Sequence, residues 1–234
     1  MNRFDYVRPD TVAEAIRALS QPDARALAGG TNLVDLMKYD VARPKHVVDI
    51  NRLPLKTIEE TDEGGFQIGA LVTNSDVVWN DGIRSKFPLL SSAILAGASP
   101  QLRNAATTGG NLLQRTRCYY FYDPSTDCNK RDAGSGCSAI GGVNRIHAIL
   151  GASGACIAVH PSDMCVALAA LDAAVNVEGV DGKRTIPIAS FHRLPGQEPQ
   201  HDNTMKPGEL ITSAHFADGE QRFHAMVSRY FARS

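Results

Sequence analysis

The 234-residue sequence is compatible with a mixed α+β fold, on three observations. Strand-like and helix-like segments alternate over residues 1–60. An apolar stretch with helical spacing covers Ser162 to Ala173, and Asp181-Gly182, a common hairpin turn pair, separates two β-rich runs.

In chain order, Thr11 to Leu19 reads as a helix, with Thr11 and Glu14 at capping-box spacing. Ala24 to Ala28 is a short apolar run ending at Gly29-Gly30, and Thr31 to Lys38 then reads as a helix start. His46 to Ile50 is too short and too rich in β-branched residues for a helix and reads as a buried strand. Phe66 to Leu71 alternates as a strand does. Ser75 to Trp79 and Pro88 to Gly97 read as helices, with Pro88 suited to a first helical position. Residues 98–117, rich in Asn, Thr, Gly and Arg, read as loop and helix ends outside the core. Residues 118–156 are irregular, with many Gly, Asp and Ser, and so long a stretch inside a compact domain is usually functional or disordered. After the Ser162 helix, Val175 to Val180 and Lys183 to Ile188 read as a hairpin.

Composition narrows the function classes. The chain is 43% hydrophobic and 21% charged, with a net charge of −1, enough for one or two domains with a real core. Near-neutral charge without a basic stripe argues against nucleic acid as the main partner. No run of ~18 apolar residues would span a membrane. The opening Met1-Asn2-Arg3-Phe4-Asp5-Tyr6 has no apolar core of a secretory signal, so the chain is expected to carry none of its own.

Four motifs carry chemistry. In Leu27-Ala28-Gly29-Gly30-Thr31-Asn32-Leu33-Val34, two glycines after a strand let backbone approach a phosphate, and the helix start that follows offers free N–H groups. An ordinary strand-to-helix turn would look the same, and the motif is not the G-x-G-x-x-G of a dinucleotide fold. Thr107-Thr108-Gly109-Gly110-Asn111-Leu112 repeats the chemistry, and two such turns suit a diphosphate held from both sides. Arg103, in the polar approach to it, reads equally as a solvated surface charge. In His160-Pro161-Ser162-Asp163, Ser162 suits a helix cap and Asp163 the positive end of that helix, as readily as a ligand role.

The fourth motif is a set of five cysteines within 48 residues, Cys118, Cys128, Cys137, Cys156 and Cys165. An odd, tight cluster without a signal fits a metal or redox site better than a disulfide framework. Four thiolates could hold a [4Fe-4S] cluster or one zinc ion; the absence of short C-x₂₋₄-C pairs leans away from zinc. Cys165 lies in the apolar stretch Met164 to Leu168 and reads as a small buried hydrophobe, not a ligand.

Taken in order, these pieces resemble the FAD-binding (medium) subunit of the xanthine dehydrogenase / aldehyde oxidoreductase family of molybdenum hydroxylases. The likeness covers about residues 1–213 and includes Phe4-Asp5-Tyr6-Val7-Arg8-Pro9, both glycine turns and Ser162-Asp163 with Ala170-Leu171-Asp172-Ala173. The roughly forty residues between the second turn and the Ser162 helix, with Arg117-Cys118-Tyr119-Tyr120-Phe121 and Gly142-Val143-Asn144-Arg145-Ile146-His147, resemble the [4Fe-4S] segment of some members, closest to the periplasmic aldehyde oxidoreductases.

The resemblance implies an α+β, two-lobed FAD-binding domain of the molybdenum hydroxylase / vanillyl-alcohol oxidase-like type. Its lobes fall at about 1–55 and 56–213, with the iron–sulfur insert at about 114–157. It makes Ala28, Gly29, Gly30, Thr31, Asn32, Leu33, Val34 and Asp35 the main FAD loop, and Thr107, Thr108, Gly109, Gly110 and Asn111 the second. Asp163 becomes a polar FAD contact and Ile211 an apolar one; Cys118, Cys128, Cys137 and Cys156 become the cluster ligands. The implied activity is electron transfer through iron–sulfur centres to FAD and on to an acceptor, with no catalytic acid, base or nucleophile on this chain. The implied partners are a [2Fe-2S] small subunit and a molybdenum-cofactor large subunit. The alternative is a non-catalytic module stabilised by zinc or a structural cluster, without flavin. The chain is expected in the cytoplasm when alone, and in the periplasm when exported with a signal-bearing partner. Residues 214–234 are expected to be an atypical tail in place of the family's C-terminal domain.

Overall fold

The structure is a computed structural model that describes residues 1–217; most of the expected tail lies outside the described residues. The first part of the chain is strand β1 (Asp5–Val7), helix α1 (Val12–Leu19), β2 (Ala24–Leu27), α2 (Leu33–Lys38) and β3 (His46–Asp49). Thr11 and Glu14 form the expected capping box at the start of α1. The strands make a parallel sheet in the order β1-β3-β2. Parallel pairing needs crossover connections, and α1 and α2 supply them.

A second, antiparallel sheet follows: β4 (Ile58–Glu60), β5 (Phe66–Gly69), β6 (Ala174–Gly179), β7 (Gly182–Pro187) and β8 (Leu210–Phe216), in the order β4-β5-β8-β6-β7. The β6–β7 hairpin turns at Gly182, whose φ of +104° is a conformation that suits glycine. Between β5 and β6 lie α3 (Asn74–Trp79), α4 (Asp81–Lys86), α5 (Pro88–Ala96), α6 (Pro100–Arg103), α7 (Thr108–Leu112), α8 (Tyr119–Tyr122) and α9 (Asp163–Ala170); α10 (Ile188–Phe191) follows β7. Pro88 opens α5 and Ser162 caps α9, accepting from the Cys165 N–H.

Two expectations need correction. Residues 98–117 are not all outside the core, since Thr107, Thr108, Leu112 and Thr116 are buried. The cause is α7, whose Thr108 and Gly109 N–H groups bond to the carbonyls of Val72 and Ala70 beside β5, docking a polar-looking segment into the domain. And β8 runs to Phe216, past the expected boundary at 213, with Ala214 and Phe216 buried.

The main core fills the space between the antiparallel sheet and α3, α5 and α9. A second core joins α1 and β3 to Leu71 and Leu210, so the antiparallel sheet contributes Leu210 of β8 to the packing of the parallel one. A third, small cluster of Leu36, Cys118, Phe121, Cys128 and Ala139 organises the insert. With little regular structure, the insert is held by Arg131, whose guanidinium donates to the carbonyls of Tyr120, Phe121, Asp123 and Thr126.

Candidate cofactor site

The first glycine loop leaves the carboxyl end of β2, where ligands of open α/β sheets commonly bind. Gly29 packs directly on the other loop: a Cβ there would lie 1.7 Å from the carbonyl oxygen of Ala105. Gly30 has φ +75°, and a Cβ on it would meet Val34 at 3.1 Å. The loop is anchored from β3. Asn51 donates through Nδ2 to the Ala28 carbonyl at 3.0 Å and to Asp49 Oδ1 at 2.7 Å. Asp49 in turn accepts from the Tyr6 hydroxyl and pairs with Arg8. Burial works to raise the Asp49 carboxyl, but the Tyr6 and Asn51 donors outweigh it and hold it below its ordinary value. Sequence reasoning missed Tyr6, Asp49 and Asn51; the available signal was an acid inside the apolar run His46 to Ile50.

In the second loop Thr107 caps α7 by accepting from the Gly110 N–H. With the Thr108 and Gly109 N–H groups spent on Val72 and Ala70, the first-turn donors of α7 are internally satisfied. The first loop differs. Among the described residues Thr31 has no intrachain hydrogen-bond partner. Asn32 Oδ1 accepts from the Arg115 N–H at 3.0 Å, while its Nδ2 is buried with no partner. A buried amide donor left unpaired costs about 1–3 kcal/mol, which an acceptor from a ligand would recover.

Ala28 to Asp35 and Thr107 to Asn111 are therefore brought together, with Asn32 tied to the residues just after α7. Ser162 donates to Asn111 Oδ1, bringing the start of α9 to the same place. Asp163 is exposed in the first turn of α9, close enough to Gly97 that a Cβ there would lie 3.3 Å from its carboxylate. Arg103, instead of being a free surface charge, donates to the carbonyls of Gly97 and Ala98. Ile211 is 2% exposed in the main core, and packing accounts for it without a ligand.

Cys118, Cys128, Cys137 and Cys156 line one cavity, closed by Tyr120, Phe121, Ala139 and Ala158. Cys128 and Cys137 face each other across an isolated antiparallel bridge. Among the described residues the group of three or more ligand atoms within 4.8 Å of one another is His160, Cys165 and His192, not these four sulfurs. Four sulfurs on one zinc ion would sit about 3.8 Å apart, given Zn–S bonds of about 2.3 Å. His147 Nε2 lies 3.1 Å from Cys118 Sγ, and the Ala158 N–H points at Cys156 Sγ at 3.4 Å. Burial pushes the Cys118 and Cys156 thiols up, with neighbouring backbone N–H groups acting against it. Cys165 sits apart in α9, its thiol pushed up to about 11 by burial.

Comparison with known proteins shows the family. Residues 2–216 match the family described as the FAD binding domain in molybdopterin dehydrogenase. The chain is 53% identical over 215 residues to the aldehyde oxidoreductase FAD-binding subunit PaoB of Escherichia coli (strain K12), covering 91% of this chain and 68% of that one. It is 30% identical over 210 residues to the glyceraldehyde dehydrogenase medium chain of Sulfolobus acidocaldarius, covering 89% of this chain and 58% of that one. Among solved structures it resembles a chain of CO dehydrogenase from Oligotropha carboxidovorans, with a TM-score of 0.66 and 25% identity over 93% of this chain and 60% of that one. The chain thus spans about three fifths of the solved chain it resembles. Among the described residues no helix is long and apolar enough to cross a membrane.

Proposed function

The chain belongs to the family of FAD-binding domains in molybdopterin dehydrogenases, and on that premise we propose that it is the FAD-binding electron-transfer subunit of a molybdenum-dependent aldehyde oxidoreductase. The observation that carries the reading is the meeting of the two glycine loops at Gly29 and Ala105, with the unpartnered Asn32 amide beside them. Ala28 to Asp35 would hold the diphosphate, because this loop has free donors. Thr107, Thr108, Gly109, Gly110 and Asn111 form the opposing wall, with Asp163 as a further polar contact. FAD, when bound, supplies the reversible uptake of electrons from iron–sulfur centres and their delivery to an acceptor. The chain's residues bind it, orient it and keep water from it; none has to act as acid, base or nucleophile.

The substrate class follows the 53% identity to an aldehyde oxidoreductase subunit, and the partners are a [2Fe-2S] small subunit and a molybdenum-cofactor large subunit. In the insert, Cys118, Cys128, Cys137 and Cys156 would ligate one [4Fe-4S] cluster; their shared cavity and the absence of short C-x₂₋₄-C pairs support this over zinc. Expression with a signal-bearing partner would carry the folded chain to the periplasm. The test is purification without air, followed by the visible spectrum and by flavin, iron and sulfide per chain. Structured flavin bands over a broad iron–sulfur absorption are expected. A colourless protein would refute the flavin reading, and zinc in place of iron in the insert would refute the cluster.

A further inference from the structure

We propose that His160, Cys165 and His192 form a second metal site, suited to Zn²⁺, that clamps the second glycine loop from behind. Their ligand atoms all lie within 4.8 Å of one another. They come from three separate places: the segment leading into α9, the first turn of α9, and the residue that ends α10. Such convergence is a tertiary fact that no local pattern announces.

The individual groups are in ligating form. His160 Nε2 is buried without a hydrogen-bond partner, which a metal would supply. His192 Nε2 lies 2.9 Å from the Leu112 carbonyl. A carbonyl only accepts, so Nε2 carries the proton and Nδ1 keeps its lone pair, the arrangement seen where a ligating imidazole is oriented by an outer acceptor. The two rings lie 4.1 Å apart, centroid to centroid. Burial pushes His160 down to about 4, helped by the neighbouring His192, and burial lowers His192 too, so both are neutral near pH 7. Cys165 is protonated when metal-free; binding replaces its S–H bond with an S–metal bond and releases one proton to solvent. The charged groups acting on the histidines are Asp202, which favours cation binding, and Lys130, which opposes it.

Two imidazoles and one thiolate suit zinc, with a fourth position left for water. Tetrahedral bonds of about 2.0–2.3 Å place donors roughly 3.3–3.6 Å apart, so side-chain rotations of about an ångström close the site. Its position gives it a role. Leu112 ends α7, the helix of the second glycine loop, and Ser162, between His160 and Cys165, donates to Asn111 in that loop. A bound ion would fasten α7, α9 and α10 together.

The experiment uses the full chain with Cys118, Cys128, Cys137 and Cys156 all replaced by Ser, so that the insert thiolates do not compete for metal, and adds Zn²⁺ or Co²⁺ alone. One equivalent of zinc per chain is expected, with a rise in Tm and a cobalt spectrum that includes a thiolate charge-transfer band. Cys165→Ala or His192→Ala should abolish the stoichiometric binding and the Tm rise while the metal-free circular dichroism stays unchanged. Cys165→His should keep one cobalt and lose only the thiolate band, a result that a packing role for Cys165 does not produce. Equal zinc and equal Tm shifts in the parent and both alanine variants would overturn the site, as would no stoichiometric zinc in the parent. Because the site shares no residue with the flavin loops or the four insert cysteines, failure here leaves the flavin and cluster readings standing.

Discussion

Gly29 packs so closely on Ala105 that a single added carbon would sit 1.7 Å from the Ala105 carbonyl oxygen. The obstacle is backbone, which does not swing aside as a side chain does. The two glycine loops can therefore approach only while position 29 has no side chain, and the cleft between them depends on that one hydrogen.

Gly29→Ala should push the loops apart and strip flavin from a protein whose circular dichroism is otherwise normal. Gly30→Val, at φ +75°, should do likewise through strain of about 1–2 kcal/mol and a clash with Val34. Gly154→Ala, outside both loops, is the control: its Cβ would meet no heavy atom within 4 Å, so flavin content should stay unchanged. Full flavin in the Gly29 variant would remove this contact from the site.

Asp49 predicts a pH dependence. Its carboxyl titrates below the ordinary value in the folded chain because the Tyr6 and Asn51 donors outweigh burial. A depressed carboxyl contributes stability above its unfolded pKa, and that contribution is lost as pH falls through the folded value. Acid should therefore loosen Asn51 from Ala28 and release flavin. Asp49→Asn should bind flavin more weakly at neutral pH and show a flatter flavin-release curve below about pH 4, where an ordinary carboxylate begins to protonate and the depressed Asp49 follows at still lower pH. Parallel curves for parent and variant would argue against this link.

The insert cysteines should behave as a unit. Replacing Cys118, Cys128, Cys137 or Cys156 with Ser should lower iron and loosen the insert, since cluster binding and local folding are coupled. Cys165→Ala should keep the iron, at a packing cost on the order of 1 kcal/mol. Iron and sulfide per chain in all five variants distinguish ligands from bystanders; a Cys165 variant that loses iron would reverse the assignment.

Glu209 and Arg184 make a stability prediction away from the cofactor. The guanidinium donates to both carboxylate oxygens, at 2.7 and 2.8 Å, and the Glu209 side chain is only 7% exposed. That pairing, with the Lys206 N–H, overcomes burial and keeps the Glu209 carboxyl below its usual value. Glu209→Ala should lower stability by about 1–3 kcal/mol, read as a lower urea midpoint with an unchanged slope, and leave iron content unaffected.

What the sequence determined by itself was mostly local. The capping box at Thr11 and Glu14, Pro88 at the head of α5, the Ser162 cap and the Asp181-Gly182 turn lie where their short-range chemistry predicts. The two glycine turns and the four insert cysteines were also legible, because close backbone approach and thiolate chemistry need those residue types. Their assembly was not. That Gly29 rests on Ala105, that Asn51 reaches Ala28, and that His192 meets His160 and Cys165 are contacts between residues more than twenty positions apart. The short helix α7 was missed because its Thr-Gly-Gly-Asn sequence has poor helical propensity; docking of its N–H groups on Val72 and Ala70 stabilises it. The tertiary structure decided these points because loop-to-loop packing and buried hydrogen bonds depend on which segments the two sheets bring side by side, and no local propensity encodes that.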